Sequence, residues 1–288
     1  MSEAIDTGKD FIVRPMQAGD LQLTIDWAAQ EGWNPGLHDA HCFRVADPSG
    51  FFIGELRGEP VGSISAVAYD ANFGFIGLYI VKPEWRGRGL GYRIWQHGIA
   101  YLGARNIGLD GVVAQQGNYA KSGFRLAWRN VRFQGVARAN IPHDHGALMQ
   151  LAEVPRSVLE AYDRTLFPAA RASFLDAWLT QPDAVALASV NAGQLRGYAV
   201  LRKCRAGRKV GPLCAEDAHT AQTLFDALLA HCPGETVALD VPEPNPAAIA
   251  LAERHGMTSV FETARMYTKE TPDVELAKVF GVTTFELG

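Results

Sequence analysis

The chain has 288 residues, of which 48% are hydrophobic and 20% are charged, so it can bury a core in one large domain or two ordinary ones. Its formal net charge of −4 excludes the strongly basic footprint of a typical nucleic-acid-binding protein, although Arg86 and Arg88 form a local basic patch. No apolar run approaches the roughly 18 residues that a membrane-spanning helix needs.

Cysteine usage and the N-terminal segment predict a cytoplasmic protein. The four cysteines are scattered and form no CxxC pair, which argues against a disulfide framework or a zinc knuckle. The first residues, MSEAIDTGKD, are polar and lack the apolar core of a signal peptide. His143 and His145 lie in a polar connector without further ligands at a recognisable spacing, so we predict no metal site.

The first half alternates strand and helix patterns in the order of a mixed sheet covered by helices. We predict strands at residues 11–14, 51–56, 61–69, 75–81, 107–114 and 124–133. A first helix is predicted at residues 21–30 with Asp20 as its cap, and a second helix follows the glycine-rich segment 86–91. One face of the second helix carries the residues expected in the core, which are Leu90, Ile94, Trp95, Gly98 and Leu102.

The second half repeats this order after a connector at residues 138–154. We predict helices at residues 158–166, 170–179, 216–231 and 245–255, and strands at 185–190, 197–202, 209–214 and 236–241. Gly62 corresponds to Gly197 at an offset of 135 residues, and Gly123 corresponds to Gly256 at an offset of 133. This near-constant spacing predicts an internal duplication, with chance likeness between two α/β halves as the alternative. The predicted domains are residues 1–137 and 155–288.

The segment 86–91, Arg-Gly-Arg-Gly-Leu-Gly, lies between a predicted strand and a predicted helix, where an anion-binding loop is expected. The first turn of a helix leaves N–H groups unpaired, and glycines remove the Cβ atoms that would keep a phosphate away from them. The two arginines add positive charge, although a solvated basic turn is the alternative. A dinucleotide fingerprint fails because Tyr92 stands at the third glycine position, and a Walker loop fails because Gly91 is not followed by Lys and Ser or Thr.

Two motifs in the first half point to one family. Arg86, Gly89 and Gly91 form an Arg-x-x-Gly-x-Gly pattern, and residues 119–124 are Tyr-Ala-Lys-Ser-Gly-Phe. In this order the two motifs resemble those of the GNAT superfamily of acetyl-CoA-dependent N-acetyltransferases, and the resemblance covers roughly residues 11–135. It implies an α/β fold of tandem GNAT-like domains, each a mixed, mostly antiparallel sheet with helices on both faces.

The resemblance also implies acetyl-CoA as co-substrate and positions for it. The pantetheine arm would lie along the strand at Tyr79, Ile80 and Val81. The pyrophosphate would lie beside Arg86 on the loop and the helix start, which comprise Gly87, Arg88, Gly89, Leu90, Gly91 and Tyr92.

In the same family pattern Tyr119 is the general acid for the departing thiolate. A phenol with a pKa of about 10 can protonate a thiolate whose conjugate acid lies near 8.5, given contact and burial. An ordinary packed tyrosine is the alternative. GNAT chains often carry an asparagine where this chain has Val112, so we expect the helix before Tyr119 to be shortened.

No acid stands out as the general base. Glu31, Asp39, His41 and Asp70 are candidates by position, and a base acting through water is another option. In the superfamily the loop after the first helix walls the acceptor pocket, which implies substrate contacts from Glu31, Trp33, Asn34 and Asp39. A surface loop anchored by Trp33 is the alternative.

The second half resembles a degenerate GNAT repeat, because Glu216 and Asp217 replace the loop arginines and Ala252 stands where the tyrosine would be. The predicted function of the chain is transfer of acetyl from acetyl-CoA to a primary amine of a small metabolite. A peptide or protein amine, a longer acyl-CoA and a non-catalytic acyl-CoA sensor are the alternatives. The expected partner is a small-molecule amine, with no nucleic acid and no membrane, and exposed sheet edges leave a homodimer open.

Overall fold

The computed structural model describes residues 10–138 and 148–288, so the predicted connector histidines, His143 and His145, lie outside the described residues. The strands are β1 Phe11–Pro15, β2 Phe51–Leu56, β3 Glu59–Ala68, β4 Phe73–Val81, β5 Asn106–Val112, β6 Arg125–Val136, β7 Leu148–Gln150, β8 Val185–Asn191, β9 Gln194–Lys203, β10 Arg208–Ala215, β11 Thr236–Pro242, β12 Thr258–Tyr267 and β13 Val279–Gly281. The α-helices are α1 Ala18–Gln30, α2 Asp39–Ala46, α3 Leu90–Leu102, α4 Gln116–Lys121, α5 Arg156–Arg164, α6 Ala172–Leu179, α7 Ala218–Leu229 and α8 Pro246–Arg254.

Helix α1 begins before its predicted cap. Asp20 lies inside the helix, and its Oδ2 accepts a hydrogen bond from the Gln17 backbone N–H at 2.7 Å. The carboxylate therefore stabilises the helix start from within the first turn, and the prediction of Asp20 as the cap is wrong. Helix α2 was not predicted. It packs on α6, where the rings of Phe43 and Trp178 stack with centroids 6.1 Å apart.

Helices cover both faces of the first half of the sheet. Helix α3 packs on one face, and its buried residues are those predicted, Leu90, Ile94, Trp95, Gly98 and Leu102. Helices α1, α2 and α6 pack on the other face, against Leu78 and Ile80 of β4. Alternation along β4 sends Tyr79 and Val81 towards α3, so this strand contributes to both cores.

The two halves exchange strands. Strand β5 of the first half pairs with β12 of the second, β12 pairs with β6 of the first, and β6 pairs with β11 of the second, all antiparallel. Across the described residues one sheet results, in the order β1-β2-β3-β4-β5-β12-β6-β11-β10-β9-β8-β7. Strand β6 lies between two strands of the second half, and β12 lies between two strands of the first half. The domain limits 1–137 and 155–288 therefore stay a prediction.

Equivalent backbone contacts in the two halves support the duplication. After α4 the N–H of Phe124 bonds the carbonyl of Tyr119 at 3.2 Å, and after α8 the N–H of Met257 bonds the carbonyl of Ala252 at 3.1 Å. The two hairpin glycines also pair equivalently. Gly62 of β3 pairs with Val81, the last residue of β4, and Gly197 of β9 pairs with Ala215, the last residue of β10. Ala252 is thus the structural counterpart of Tyr119.

The C-terminal tail fills a gap in the second half. Strands β10 and β11 pair in parallel only over residues 208–210 of β10, after which β13 pairs with β10 at Leu213 and Cys214. The N–H of Val282 then bonds the carbonyl of Asp240 in β11 at 2.8 Å. The tail therefore bridges two strands whose counterparts in the first half, β4 and β5, stand apart.

Candidate active site

The candidate site is the gap between β4 and β5. These strands pair in parallel up to Ile76 and Leu109. Beyond this point, among the described strands, β4 pairs only with β3 and β5 only with β12. At the divergence Leu78 has a φ of 46°, and the pairing of β4 with β3 shifts register. A cavity of about 440 Å³ occupies the gap, which is within the usual size range of small-ligand sites.

The glycine-rich loop forms one rim of this cavity. Gly87 and Gly89 have φ values of 74° and 78°, and a Cβ on either would meet no other atom within 4 Å. A Cβ on Gly91 would lie 2.8 Å from the Tyr79 hydroxyl and 3.0 Å from Val81 Cγ2. The first two glycines therefore allow the left-handed turn and leave open space above it, whereas Gly91 allows α3 to approach β4. The predicted cofactor residues that line the cavity are Tyr79, Ile80, Val81, Arg86, Gly87, Gly89, Gly91 and Tyr92.

Arg86 is held at this rim by two contacts. Its Nε donates to the carbonyl of Val81 at 2.8 Å, and its guanidinium forms an ion pair with Glu31 at the end of α1. The pair joins the glycine loop to α1 beside the cavity. Because the Arg86 side chain is 48% exposed, the pair contributes little to stability and can exchange for a ligand.

Tyr119 lines the cavity on the side covered by α3. Its ring lies against Gly111 of β5, where a Cβ would overlap it, and its centroid is 5.5 Å from that of Trp95. Burial, with a smaller contribution from Tyr79, raises the pKa of Tyr119 to about 12. The phenol therefore stays protonated at neutral pH and can donate a proton. The helix that carries it, α4, has only six residues, as expected from the sequence.

Comparison with known families decides what kind of protein carries this site. A family model described as "Acetyltransferase (GNAT) family" matches residues 20–124, and one described as "Acetyltransferase (GNAT) domain" matches residues 159–281. The chain belongs to the GNAT acetyltransferase family. Each half carries one GNAT unit, and the protein is an acyltransferase.

Known relatives agree with a tandem GNAT fold. The holothin acyltransferase of Pseudoalteromonas sp. (strain SANK 73390) is 29% identical over 295 residues, which cover the whole of both chains. A putative acetyltransferase from Pyrococcus horikoshii superposes with a TM-score of 0.84 at 20% identity, over 97% of this chain and 96% of the other. A tandem GNAT protein from the clavulanic acid biosynthesis pathway gives a TM-score of 0.63 at 17% identity, over 91% and 99%.

The second GNAT unit supplies a wall of the site that sequence patterns did not predict. Phe261 and Thr263 of β12, with Phe285 and Glu286 of the tail, line the cavity of the first unit. They reach it because β12 is exchanged into the first half and because the tail continues past β11 to β4. Both features depend on pairing between distant segments, so they leave no local sequence signal.

Two of the four predicted substrate residues, Glu31 and Trp33, line the cavity, and the other two do not. The Asn34 side chain bonds the backbone of Ala206 at 2.8 and 3.0 Å, so it anchors its loop to the second half. Asp39 is fully buried, with Oδ1 lying 3.4 Å from Arg202 Nε. These two side chains, which were predicted to wall the acceptor pocket, therefore do not line the cavity.

Four further candidates lie away from the cavity. Arg88 extends over the ring of Trp85 at 4.7 Å, and Leu90 packs its side chain in the core, which leaves its backbone N–H at the helix start. His41 and Asp70 are exposed and do not line the cavity either. Of the four positional candidates for a base, Glu31 is the one that lines the cavity.

The second GNAT unit lacks the elements of an acyl-CoA site at the equivalent positions. Asp217 caps α7 by accepting a hydrogen bond from the Thr220 N–H at 2.7 Å, so a carboxylate already occupies this helix start. Glu216 pairs with Lys278 of the tail at 3.0 Å. In addition, β13 lies between β10 and β11, and Ala252 stands in place of the tyrosine.

GNAT acetyltransferases use acetyl-CoA, and the open glycine cradle of the first unit fits its pyrophosphate. Within residues 10–138 and 148–288, no three His, Cys, Asp or Glu side chains are grouped so that they could hold a metal ion. In the same two ranges, no helix combines the length and apolar character needed to cross a membrane.

Proposed function

We propose that this chain transfers the acetyl group of acetyl-CoA to the primary amine of a small metabolite, with both substrates bound together at the gap between β4 and β5. The observation that carries the proposal is that the glycine cradle and Tyr119 lie on the same cavity. The 29% identical relative is named as an acyltransferase of holothin, which supports acyl transfer here.

The α3 side of the gap suits acetyl-CoA. The unpaired N–H groups of the first turn of α3 and its macrodipole favour a phosphate above Gly87 and Gly89, with Arg86 adding a charge once it leaves Glu31. Past Ile76, none of the described strands pairs with the edge of β4 that faces β5, so the backbone of Tyr79 can bond the amides of the pantetheine arm, whereas the Ile80 carbonyl faces β3.

Tyr119 is proposed as the proton donor. Acetyl-CoA supplies a thioester, and its thiolate needs a proton when it leaves. Because burial keeps the phenol of Tyr119 neutral well above physiological pH, the side chain still carries its proton when the thiolate leaves. Transfer to a thiolate whose conjugate acid has a pKa near 8.5 is uphill, so it requires direct contact with the sulfur. We expect the hydroxyl to donate to sulfur at this moment.

Two alternatives are distinguished by features of the same cavity. A peptide or protein amine as acceptor is disfavoured by Phe285 and Glu286 of the tail, which line the cavity and pack onto β4 at Gly77, so they narrow the space for an extended chain. A non-catalytic acyl-CoA sensor is disfavoured by the placement of Tyr119, since a sensor needs no proton donor. A cytoplasmic location, pairing as a homodimer and the length of the acyl chain stay predictions.

Calorimetric titration with acetyl-CoA tests the proposal. We expect one site per chain, lost in Gly89→Glu, because a carboxylate at this position would repel the pyrophosphate. Two sites would mean that the second unit also binds, and no binding would refute the assignment of acetyl-CoA. Acetylation of a panel of small amines, lost in Tyr119→Phe while acetyl-CoA still binds, would separate an enzyme from a sensor.

A further inference from the structure

One carboxylate in the cavity has no cationic partner. Three acids line the cavity, and Glu31 is paired with Arg86. Asp110 is paired with Arg265, which donates from Nη2 to Oδ2 at 2.6 Å and from Nε to Oδ1 at 2.9 Å. Glu286 forms no ion pair within the described parts of the chain, although it is only 4% exposed. A buried acid at a ligand cavity therefore has no direct ion-pair partner among the described residues.

The hydrogen bonds of Glu286 leave one oxygen for a ligand. Its Oε2 accepts from the Thr284 hydroxyl, and its backbone N–H donates to the same hydroxyl at 3.3 Å. This tight turn at the end of the tail orients the carboxylate. Among the described residues no donor reaches Oε1, and Glu286 is part of the cavity wall.

Charges behind Glu286 determine what it can bind. Arg132 forms a bidentate pair with Asp240 at 2.6 and 2.7 Å, Arg202 lies 3.4 Å from Asp39, and Lys209 lies 4.0 Å from Asp240. The charge of Glu286 is attracted by the guanidinium groups of Arg132 and Arg202 and repelled by the carboxylate of Asp39. Together these groups form a buried charge cluster that is neutral when all of its members are ionised: Asp39, Arg132, Arg202, Lys209, Asp240 and Glu286. Glu286 is the member that lines the cavity. The cluster thus presents a negative group to a ligand.

Three aromatic residues line the same cavity as Glu286. Trp33, Phe261 and Phe285 line the cavity, and the centroids of the two phenylalanine rings are 6.3 Å apart. Arg132 fixes the arrangement, because its guanidinium lies 4.9 Å from the ring of Phe285 and 5.8 Å from that of Phe261, and its Nη1 donates to the Trp33 carbonyl at 2.8 Å. Such walls favour a flat apolar group.

These surfaces lie on the face of the sheet opposite α3. Leu78 and Ile80 point to the same face as Trp33, whereas Tyr79, Val81 and Tyr119 pack towards α3. A ligand held by Phe285 and Glu286 would therefore meet the thioester across the gap from the side opposite the glycine loop.

We infer that the acceptor is a primary amine carried on a flat, aromatic body, and that Glu286 is the group that binds its ammonium. This inference rests on the proposed function. A proton moves from the ammonium nitrogen to Oε1 of Glu286, which leaves a neutral amine with a free lone pair and a neutral carboxyl group. The aromatic body lies between Trp33 and the two phenylalanine rings. The acceptor site is thus built by the second GNAT unit and the acetyl-CoA site by the first.

Three probe compounds test the two parts of this inference on the full-length protein. 2-Phenylethylamine has ring and ammonium, 2-phenylethanol has the ring alone, and n-butylamine has the ammonium alone. Measured calorimetrically without acetyl-CoA, 2-phenylethylamine should bind about tenfold or more tightly than either of the others. Equal affinity for 2-phenylethylamine and n-butylamine would overturn the aromatic class, as would binding of none of the three.

The role of Glu286 is tested by Glu286→Gln, with Glu262→Gln on exposed β12 surface as the matched control. We expect Glu286→Gln to abolish the preference for 2-phenylethylamine over 2-phenylethanol and to leave acetyl-CoA affinity within about twofold, which also verifies folding. Glu286→Asp should recover part of the preference. A Glu286→Gln protein that keeps the preference would overturn the role. If the wild-type protein does not bind acetyl-CoA, the proposed function is refuted. This outcome is distinguishable from failure of the inference about Glu286, in which acetyl-CoA binds but the amine preference does not depend on Glu286.

Discussion

A Cβ atom on Gly77 would overlap the backbone carbonyl of Glu286. Gly77 lies on β4 where this strand parts from β5, and Glu286 belongs to the C-terminal tail that has already crossed the second unit. Only a residue without a side chain allows the tail to lie directly on the strand at this point. The contact joins the two GNAT units at the candidate active site.

Gly77→Ala should therefore disturb the acceptor side of the site selectively. The new methyl group displaces the tail, so we expect kcat/KM for acetylation of 2-phenylethylamine to fall about tenfold or more, and the free energy of unfolding to fall by about 1–3 kcal/mol. Acetyl-CoA affinity, measured by calorimetry, should stay within about threefold. Gly19→Ala in α1 is the control, because a Cβ there meets no atom within 4 Å. An unchanged kcat/KM in Gly77→Ala would contradict the tail's role.

A pair of glycines on α3 separates binding from backbone strain. Gly89 precedes the helix with a φ of 78°, and Gly103 follows it with a φ of 59°, and a Cβ on either would meet no atom within 4 Å. Alanine at either position should lower the free energy of unfolding by about 1 kcal/mol. Only Gly89→Ala should weaken acetyl-CoA binding, by about tenfold, because its methyl group lies over the N–H groups that meet the phosphate. Equal affinities in the two variants would count against the cradle.

Tyr119→Phe should lower kcat by about 100-fold and leave acetyl-CoA affinity unchanged, because the ring still packs on Gly111 while the proton donor is lost. Since burial raises the pKa of Tyr119 to about 12, its protonated form persists on the alkaline side, so the pH–kcat profile should show no loss of activity from this group below about pH 10.

Tyr101→Phe is the matched control for this change. Burial also raises the pKa of Tyr101 to about 12, but its hydroxyl bonds Asp47, and it lies outside the cavity. We expect a loss of about 1 kcal/mol in unfolding free energy and no change in kcat. A similar fall in kcat in both variants would show that Tyr119 acts through general stability.

Asp240→Asn should be the most destabilising of these substitutions. Burial alone would raise the pKa of Asp240, but Arg132 and Lys209 outweigh it and hold this pKa below the usual range. The ionised carboxylate thus stabilises the fold above about pH 4, and this contribution is lost as the pH falls further. The asparagine leaves Arg132 buried without its partner, so we expect the free energy of unfolding at pH 7 to fall by about 3–5 kcal/mol.

Urea denaturation at pH 7 and at pH 3.5 measures this effect, with Glu262→Gln as control. Glu262 pairs with Arg129 at 2.8 Å on the surface, where both side chains are about a third or more exposed, so its loss should change stability by less than about 1 kcal/mol. The gap between wild type and Asp240→Asn should narrow at pH 3.5. A gap that widens at low pH would contradict the sign of the pKa shift.

Strand exchange predicts that the halves fold together. A fragment ending at residue 138 retains β5 and β6 but loses β12, which pairs with both of them. Strand β6 also loses β11, so three strand edges are exposed, one on β5 and both on β6, and we expect aggregation when the fragment is expressed alone. Co-expression with residues 148–288 should give a 1:1 complex that binds acetyl-CoA. A soluble, monomeric first fragment that binds acetyl-CoA by itself would refute this dependence.

The sequence was sufficient wherever a feature depends on neighbouring residues. The face of α3 followed from its helical spacing, the open left-handed turn before it from glycines between a strand and a helix, and the carboxylate at the start of α7 from Asp217. Each is a local property, in which side-chain spacing or backbone freedom decides the structure of a short segment. The family motifs are local for the same reason. Asp20 was predicted to precede the helix, but it lies in the first turn. A carboxylate can accept a hydrogen bond from a backbone N–H at the helix start from both positions, so the sequence pattern does not distinguish them.

Only the tertiary structure decided which residues form the cavity wall contributed by the second unit. Glu286, Phe285 and Phe261 reach the cavity through strand exchange and through a tail that first fills the second unit's own gap. Asp39 does not line the cavity because it is buried in an ion pair with Arg202, which lies far along the chain. Contacts of this kind are selected by the packing of the whole sheet, where burial and charge pairing between distant segments outweigh local preference. The glycine loop can therefore be recognised in a few consecutive residues, whereas the cavity wall that faces it exists only once both halves have folded together.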